Sequence, residues 1–257
     1  MKNQIEQARL LKNLHIKGDP LILFNVWDAG SAQAMKEIGV KAIATSSWSV
    51  AASHGYEDGE KLSLDLVLAN LKRIIAKVDL PLTIDIEGGY GQTSFEIDET
   101  IIKVIEAGAA GINFEDQIIG TENLYSLKDQ CKRIKSIREV SEQTSIPIFI
   151  NARTDVFFKS SSDKHNNNLL MEATHRAHAY AASGADGFFV PGLKNPDYIQ
   201  QLCSTSPIPV NVMILADMPS VNELLTLGVG RISYGPNPYC HAMDCLKEAG
   251  RKAIYMK

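Results

Sequence analysis

Acidic side chains stand at the ends of two successive apolar runs of the chain. Asp85 and Glu87 close the run in TIDIEGGYG, Glu115 closes the next run, and Asp58 lies in the preceding segment HGYEDGE. Residues two apart in a strand point to the same side, so Asp85 and Glu87 face one way. Clustered carboxylates repel one another unless protons or a cation neutralise them, and hard oxygen ligands favour Mg²⁺, or Mn²⁺ in its place. Capping of the following helices is the alternative use of these residues.

A second group of residues suits an anionic substrate. Arg153 ends a later run, where its guanidinium would grip a carboxylate through two parallel hydrogen bonds or pair with Asp155 instead. Asn211 stands in the middle of an apolar run, where an inward amide needs a partner. Hydroxyl groups and exposed amides that would also hold a carboxylate belong to Ser46, Ser47, Trp48 and Ser49.

These residues are positioned by short β-rich runs that alternate with helical patterns. The runs cover 21–25, 41–46, 81–86, 110–115, 147–152, 185–190, 208–214 and 230–235. Each run is apolar and rich in β-branched residues, as strands buried on both faces are. Eight strand–helix units predict an α/β fold of the closed (β/α)8 TIM barrel type, with a single domain over residues 1–257. An open, doubly wound sheet is the alternative.

Composition and charge argue against several other classes of protein. The chain has 257 residues, of which 45% are hydrophobic and 22% charged, and its formal net charge is -4. It therefore has material for a large core and no basic run for nucleic acid. No apolar stretch approaches the roughly 20 residues that span a bilayer, and the polar N-terminus resembles no secretory signal. The four cysteines have neither disulfide-type nor zinc-type spacing, which predicts reduced thiols in a cytoplasmic protein.

Longer motifs in the chain resemble the isocitrate lyase and phosphoenolpyruvate mutase superfamily. The resemblance runs from about residue 20 to 240. It is carried by TSSWSVAASHGYED at 45–58, LPLTIDIEGGYG at 80–91, EAGAAGINFEDQ at 106–117, INARTD at 150–155 and GADGFFVPG at 184–192. The element D-x-[DE]-x-G-[YF]-G followed by G-x-x-x-E-D is specific to that superfamily.

The resemblance implies a Mg²⁺-dependent barrel that makes or breaks a C–C or P–C bond in a small 2-oxo or 2-hydroxy acid. A pyruvate-like enolate is stabilised on the metal in such enzymes. Carried over, Asp85 would bind the metal directly and contact the substrate, while Asp58, Glu87 and Glu115 would hold metal-bound waters. Arg153 would bind the substrate and stabilise negative charge, so Arg153, Asp58 and Glu115 are the expected catalytic residues. The substrate carboxylate would be bound by backbone amides of Ser46, Ser47 and Trp48.

The segment after the fourth predicted strand departs from the family pattern. Isocitrate and methylisocitrate lyases carry a K-K-C-G-H loop there, whose cysteine protonates the enolate, whereas this chain reads GTENLYSLKDQ at 120–130. The phosphonomutase loop resembles K-T-N-S. Asn123 matches its asparagine and is expected to bind substrate, but Thr121 and Leu124 replace its lysine and serine. The chain thus resembles a branch in which neither signature loop is complete.

The first hypothesis is a Mg²⁺-dependent lyase that cleaves a C–C bond of a small 2-hydroxy or 2-oxo carboxylate or dicarboxylate. Phosphonopyruvate hydrolase or phosphoenolpyruvate phosphonomutase chemistry comes second. Oxaloacetate decarboxylation, which needs no cysteine, comes third, and a non-catalytic metabolite-binding barrel is the least favoured. Candidates for the missing proton donor are His54, Tyr56, Tyr90 and Tyr125.

Two further features concern assembly and motion. Family members that resemble this chain form tetramers by exchanging the last barrel helix, which predicts a homo-oligomer, a tetramer or a dimer, through residues 237–255. The polar segment KSSSDKHNNN at 159–168 follows the fifth predicted strand and would lie on the face of the catalytic loops, either as a lid or as a flexible insertion.

Overall fold

The computed structural model describes residues 2–255, in which parallel strands alternate with helices. The strands are β1 (Leu21–Leu23), β2 (Ile43–Ala44), β3 (Leu82–Asp85), β4 (Gly111–Glu115), β5 (Phe149–Arg153), β6 (Gly187–Phe189), β7 (Val210–Met213) and β8 (Arg231–Ser233). The helices are α1 (Lys2–Asn13), α2 (Ala29–Glu37), α3 (Ser47–Ser53), α4 (Leu64–Ile75), α5 (Ser94–Glu106), α6 (Leu127–Gln143), α7 (Asn167–Ala182), α8 (Pro196–Thr205), α9 (Val221–Thr226) and α10 (Asn237–Tyr255), with a 3-10 turn at Ser162–Lys164. Within this described range, none of the helices combines the length and the apolar character needed to cross a membrane.

The eight strands form one parallel sheet in the order β1-β8-β7-β6-β5-β4-β3-β2. A parallel bridge between Val26 and Thr45, just beyond β1 and β2, joins the two ends of the sheet. At this seam the Val26 N–H donates to the Ala44 carbonyl at 2.8 Å. The predicted (β/α)8 barrel is confirmed, and the open doubly wound sheet is wrong.

Alternation along the strands separates an apolar outer layer from a polar interior. Ile84 and Ile112 are register partners on β3 and β4, and both belong to the large apolar cluster shared with the surrounding helices. The next residues, Asp85 and Asn113, are also register partners and point to the opposite side, into the barrel. The carboxyl ends of these strands therefore bring polar groups to the barrel mouth.

Helix α1 closes the other end of the barrel. Ala8 and Leu11 pack with Phe149 in a second, smaller apolar cluster. His15 follows the helix and stacks on Phe149, with ring centroids 4.0 Å apart. Burial and then the nearby Arg231 guanidinium lower the pKa of His15 to about 3, so this floor residue is neutral. Helix α1 and His15 therefore pack against the end of the barrel opposite the carboxyl ends of the strands.

Helix α10 buries little of its surface against its own barrel. Within Asn237–Tyr255 only Pro238 is buried. The outer face of β1 is uncovered, since Ile22 is 44% exposed and Phe24 is 40% exposed. A ring of helices normally covers the outer face of every strand in this fold.

Candidate active site

A cavity of about 190 Å³ opens at the carboxyl ends of the strands. This is the end at which TIM barrels carry their catalytic residues. Six residues singled out from the sequence line the cavity, namely Ser46, Ser47, Trp48, Asp58, Asp85 and Arg153. The lining also includes polar groups that the sequence analysis did not consider and several apolar side chains, among them Asn113, Arg231, Ser233, Phe158, Phe189 and Met213.

Asp85, at the end of β3, is one of two acids that line the cavity, the other being Asp58. Its Oδ1 accepts hydrogen bonds from the Asn113 amide at 3.1 Å and from the Glu87 backbone N–H at 3.3 Å. Its Oδ2 accepts the Ser47 backbone N–H at 3.3 Å. All three donors are uncharged, so these hydrogen bonds orient the Asp85 carboxylate without neutralising it.

Glu87 lies behind Asp85 and is 5% exposed. Its Oε2 accepts two backbone N–H groups, from Gly59 and Glu60, each at 2.8 Å. These two amides belong to the loop that carries Asp58. The hydrogen bonds therefore hold that loop against the end of β3 and bring the two acids to one place.

The turn after β3 depends on glycine. Glu87 and Gly89 have φ angles of 50° and 95°, in the left-handed region. A Cβ atom on Gly89 would lie 2.8 Å from the ring of Phe114, so the turn leaves no room for a side chain there. Arg133 of α6 donates to the Gly88 carbonyl and lies over the Phe114 ring, 4.8 Å from its centroid. Arg133 thus fixes the turn from below.

Burial and mutual repulsion raise the pKa values of the acids around Asp85. Burial, followed by the charges of Asp58 and Asp85, raises the pKa of Glu87 to about 8. Burial raises the pKa of Glu115 well above its ordinary value, although Arg153 opposes the shift. Burial and the Asp85 charge also raise the pKa of Asp58. Carboxyl groups that resist ionisation around one cavity form a site that a cation would stabilise.

The donor set fits a hydrated Mg²⁺ ion. Asp58 and Asp85 bring carboxylate oxygens to the cavity lining, and neither histidine nor cysteine lines it. Among residues 2–255, no three acidic, histidine or cysteine side chains form a complete direct ligand set. Mg²⁺ keeps several waters and uses one or two carboxylates directly, so a complete protein cage is not required. Asp85 lines the cavity and is placed for direct contact, whereas Glu87 and Glu115 stand one layer back.

The raised pKa of Glu87 predicts how the stability of the metal-free protein depends on pH. A glutamate with the ordinary pKa of 4.5 is ionised in the unfolded chain at pH values where Glu87, with a pKa of about 8, still holds its proton in the fold. The folded state binds more protons in this window, so stability falls as pH rises from about 5 to about 8. Urea denaturation in chelator should measure a loss on the order of 2 kcal/mol.

Two comparisons isolate the acidic cluster in that experiment. Added Mg²⁺ should flatten the fall, because a cation stabilises the ionised carboxylates. Glu87→Gln in chelator should also flatten it, since the variant has no proton to lose at this position. A wild-type profile that matches the Glu87→Gln profile would contradict the raised pKa.

Arg153, at the end of β5, provides positive charge at the cavity. Its Nη1 lies 2.9 Å from the Glu115 carboxylate, and its Nε and Nη2 donate to Asp155 at 2.6 and 2.9 Å. Burial alone would lower the pKa of the guanidinium, but the charges of Glu115 and Asp155 outweigh it and raise that pKa. The pairing with Asp155 that the sequence left open is therefore present. A guanidinium has five N–H donors, so Arg153 still has N–H groups for an anion.

The residues that follow β2 border the cavity, and each already contacts another group of the protein. Ser46 caps α3, and its side chain accepts the Ser49 backbone N–H at 3.4 Å. The Ser47 amide is directed at Asp85. Trp48 is 39% exposed and meets Tyr239 edge to face, with ring centroids 5.9 Å apart. These residues form the rim of the cavity next to Asp85.

Two residues that were expected to bind substrate do not line the cavity. Asn123 is exposed and does not line the cavity, because a bridge between Gln117 and Leu124 folds its loop back on itself. Asn211 is 1% exposed and lies behind the cavity wall, where its Oδ1 accepts the Ser233 hydroxyl at 3.1 Å. Neither side chain lines the cavity, and direct substrate contact stays a prediction for both.

No replacement for the lyase cysteine lines the cavity. Cys131 is half-buried on α6, Cys240 and Cys245 are exposed on α10, and Cys203 is buried in the core, where burial raises its pKa to about 12. The Tyr90 hydroxyl is within 3.5 Å of the Glu87 carboxylate but is not part of the cavity lining. Neither a cysteine thiol nor the Tyr90 hydroxyl is therefore placed at the cavity to act as the general acid.

Sequence reasoning missed a second guanidinium at the cavity. Arg231 and Ser233 occupy alternate positions of β8 and line the cavity, whereas Ile232 between them belongs to the outer apolar cluster. A charged residue at an inward position of an apolar strand was the available signal. Glu60 was also missed, although its carboxylate accepts the Tyr90 backbone N–H at 2.9 Å, because a loop offers no periodicity from which to read its role.

A (β/α)8 barrel with carboxylates and a guanidinium around a cavity at the strand ends has the architecture of a barrel enzyme for a small anionic molecule. Residues 11–254 match the family model described as phosphoenolpyruvate phosphomutase. The chain therefore belongs to this family, within the isocitrate lyase and phosphoenolpyruvate mutase superfamily of carbon–carbon lyases and mutases.

Individual relatives cover most of the chain. An uncharacterised protein of Mycobacterium tuberculosis strain H37Rv is 32% identical over 239 residues, which are 93% of this chain and 86% of that protein. The 2-methylisocitrate lyase of Escherichia coli K12 is 29% identical, and the match covers 76% of this chain and 65% of the lyase. A crystal structure described as a candidate phosphonomutase of Burkholderia cenocepacia J2315 is 45% identical, covers 97% of this chain and 99% of its own, and has a TM-score of 0.95.

A more distant structure shares the fold. A phosphonopyruvate hydrolase, solved as a complex with oxalate and Mg²⁺, is 21% identical with a TM-score of 0.81. The match covers 98% of this chain and 87% of that chain.

Proposed function

We propose that the chain is a Mg²⁺-dependent lyase that cleaves a C–C bond of a small 2-hydroxy or 2-oxo carboxylate or dicarboxylate. The observation that carries the proposal is the convergence of Asp58, Asp85 and Arg153 on one cavity, with Glu87 and Glu115 buried behind it. When the C2–C3 bond of a 2-hydroxy dicarboxylate breaks, the deprotonated C2 hydroxyl becomes the carbonyl of the departing 2-oxo acid, and the electron pair of the bond stays on C3 as the enolate of the other carboxylate. Groups that stabilise this negative charge lower the barrier.

The acidic residues would divide the work of holding the metal. Asp85 would bind it directly, and Asp58, Glu87 and Glu115 would hold its waters. When bound, Mg²⁺ supplies Lewis-acid stabilisation of negative charge on a substrate oxygen. Glu87 is fixed by two backbone N–H groups and Glu115 by Arg153, so these acids are preorganised before any ligand arrives.

Arg153 would bind and orient the substrate from the opposite side. Its guanidinium is held by Glu115 and Asp155 and cannot rotate freely. A fixed guanidinium stabilises developing negative charge without having to reorganise during the reaction. The neighbouring rings of Phe158 and Phe189, whose centroids lie 5.4 and 5.8 Å from the guanidinium carbon, help to exclude water from that side.

P–C bond chemistry is the second candidate. It is favoured by the family model, described as phosphoenolpyruvate phosphomutase, and by the 45% identity to the Burkholderia candidate phosphonomutase. Oxaloacetate decarboxylation is a further variant, supported by the lack of a thiol in the cavity lining, since solvent can protonate the enolate product. A barrel that only binds a metabolite remains the least favoured reading.

Turnover of four substrates discriminates among these reactions. Methylisocitrate and dimethylmalate test C–C cleavage, oxaloacetate tests decarboxylation, and phosphonopyruvate tests P–C chemistry. Each is assayed with Mg²⁺ and with chelator, and products are identified by NMR. We expect Mg²⁺-dependent release of a 2-oxo acid from a hydroxy dicarboxylate. Release of phosphate or phosphoenolpyruvate would move the assignment to P–C chemistry, and no chelator-sensitive turnover of any of the four would refute the enzyme proposals.

We further propose that the chain is a homo-oligomer in which α10 packs on a partner subunit. Leu246 is 64% exposed and Ile254 is 67% exposed on α10. An apolar groove of about 580 Å³ lies beside β1 and is lined by Ile22, Phe24 and Ile38. An exposed apolar helix and an uncovered apolar groove on one chain complement each other across two copies.

Substitution on either surface is expected to change the oligomeric state. Leu246→Glu combined with Ile254→Glu, and separately Phe24→Glu, should convert the oligomer to a monomer, because each buries charge in the interface. Light scattering after size-exclusion chromatography measures the mass, with Lys247→Ala on the same helix as the control. A wild-type monomer, or an unchanged oligomer in both variants, would refute the exchange.

A further inference from the structure

Arg231 is a buried cation without an acceptor for all of its donors. It is 3% exposed and lines the cavity from β8. Its Nε donates to the Ser233 hydroxyl at 3.2 Å. Its Nη1 is buried and finds no hydrogen-bond acceptor among residues 2–255. Buried polar groups are normally satisfied, so an orphaned donor at a cavity indicates a missing partner.

Among residues 2–255, the neighbours of Arg231 hold it in place and offer no acceptor beyond the Ser233 hydroxyl. The Ser233 hydroxyl in turn donates to Asn211, whose Oδ1 accepts at 3.1 Å. Asn211 is the register partner of Arg231 on β7, and its Nδ2 is also buried, with no hydrogen-bond partner in the described range 2–255. This wall of the barrel therefore has donors in excess of acceptors. A ligand that complements it must accept hydrogen bonds.

The charge balance points the same way. Burial lowers the pKa of Arg231 to about 9, and the opposing charge is that of Asp85. Under the proposed function, on which this step rests, the Asp85 charge is engaged by a cation. Arg231 then lacks an anionic counterpart, and an isolated buried charge is costly unless a ligand pairs with it.

We propose that Arg231 binds a second carboxylate of the substrate at the base of the cavity. The 2-oxo or 2-hydroxy end of the same molecule would lie beside Asp85 and Arg153. Arg231 precedes Ser233 by two residues on β8, so it lies farther from the carboxyl ends of the strands and marks the deep end of the cavity. Arg231 is then a specificity-determining residue that selects dicarboxylates over monocarboxylates, and Ser233 and Asn211 are positioning residues.

A purely structural role explains Arg231 less well. Replacing a buried ion pair with apolar residues often leaves the stability of the fold unchanged or increases it. Arg231 lacks a complete ion pair among residues 2–255, so stability gives even less reason for a buried arginine here. By contrast, Arg176, also buried, is paired with Asp116 at 3.0 Å and with Glu172 at 2.7 Å. The incomplete environment of Arg231 is the property of a binding group rather than of a packing group.

A matched pair of ligands tests the proposal. Malate and 2-hydroxybutanoate share a four-carbon 2-hydroxy acid skeleton, and malate has a carboxylate where 2-hydroxybutanoate has a methyl group. Calorimetric titration of the wild type, with and without Mg²⁺, should give at least about tenfold tighter binding of malate. Arg231→Met should bring the two dissociation constants within about twofold, chiefly by weakening malate. 3-Phosphonolactate is titrated in parallel, and tighter binding of this phosphonate than of malate would overturn the assignment to a carboxylate.

Further measurements separate binding of the second carboxylate by Arg231, called the anchor below, from binding of the metal. Mn²⁺ binding followed by electron paramagnetic resonance should be the same in the wild type and in Arg231→Met. Loss of the malate preference with metal binding retained supports the anchor. An absent metal site in the wild type, with a preference that still depends on Arg231, would refute the lyase proposal and leave the anchor standing.

Two results overturn the anchor itself. One is a wild type that binds malate no more tightly than 2-hydroxybutanoate, and the other is an unchanged preference in Arg231→Met. If Arg231→Met does not fold, as judged by circular dichroism, Arg231→Lys takes its place. Lysine keeps the charge but has a single point of contact, so the preference should fall at least about threefold, and an unchanged preference there overturns the anchor as well.

Discussion

Replacement of Asp85 by alanine is expected to abolish Mg²⁺ binding and to reduce kcat/KM by about 1000-fold or more. Asp85 is the acid that lines the cavity at the end of β3, and its hydrogen bonds to Asn113 and to the Ser47 amide orient it without supplying charge. Glu87 and Glu115 are 5% and 4% exposed, and neither lines the cavity. Under the proposed function, removing Asp85 would remove the one direct protein contact to the metal, and the other acids would hold only its waters.

The measurement follows metal and turnover separately. Titration with Mn²⁺ reports the metal, and the substrate identified by the four-compound assay reports turnover. Asp85→Asn keeps the shape and most of the hydrogen bonds of the side chain, so it tests charge in a protein that folds. Asp65→Ala, at an exposed position in the first turn of α4, controls for loss of one acidic charge. Metal binding retained in both Asp85 variants would refute the assignment of this residue.

The fold was readable from the sequence because barrel strands leave a strong local signal. Short runs such as PLTIDI and AGINFE are too apolar and too β-branched for surface segments, and glycine ends the helices between them. The same runs carry Asp85 next to the end and Glu115 at the end, so the position of these acids followed from the position of the strands. Closure of the barrel, which occurs at the bridge between Val26 and Thr45, was predicted from the number of strands rather than from any residue pattern.

The parts of the site that sequence reasoning missed depend on contacts between distant segments. The guanidinium of Arg231 reaches the cavity from the far side of the barrel, and a single charged residue in a strand does not reveal what it faces. Asn123 was assigned by a motif match, but it is exposed in a loop closed by the bridge between Gln117 and Leu124 and does not line the cavity. Such features are set by register and by loop geometry, which one-dimensional spacing does not encode.

Replacement of Arg153 is expected to have the second large effect, with two separable components. Arg153→Met should lower kcat/KM by about 1000-fold, because the cavity loses the cation that stabilises negative charge beside Asp85. It should also destabilise the fold by about 3–5 kcal/mol, since Glu115 and Asp155 would stay buried without their partner. These two acids are 4% and 0% exposed, so water cannot replace the guanidinium.

Arg153→Lys separates catalysis from stability. An ammonium group can pair with one of the two acids but cannot reproduce the fork that holds Asp155 through Nε and Nη2. We therefore expect a smaller loss of stability than in Arg153→Met, measured by urea denaturation, together with a fall in kcat/KM of about 100-fold. Equal losses of stability in the two variants, with full activity in Arg153→Lys, would assign Arg153 to packing alone. A fall in kcat that exceeds any rise in KM would instead place its main effect in the transition state, where the fixed guanidinium meets the developing negative charge.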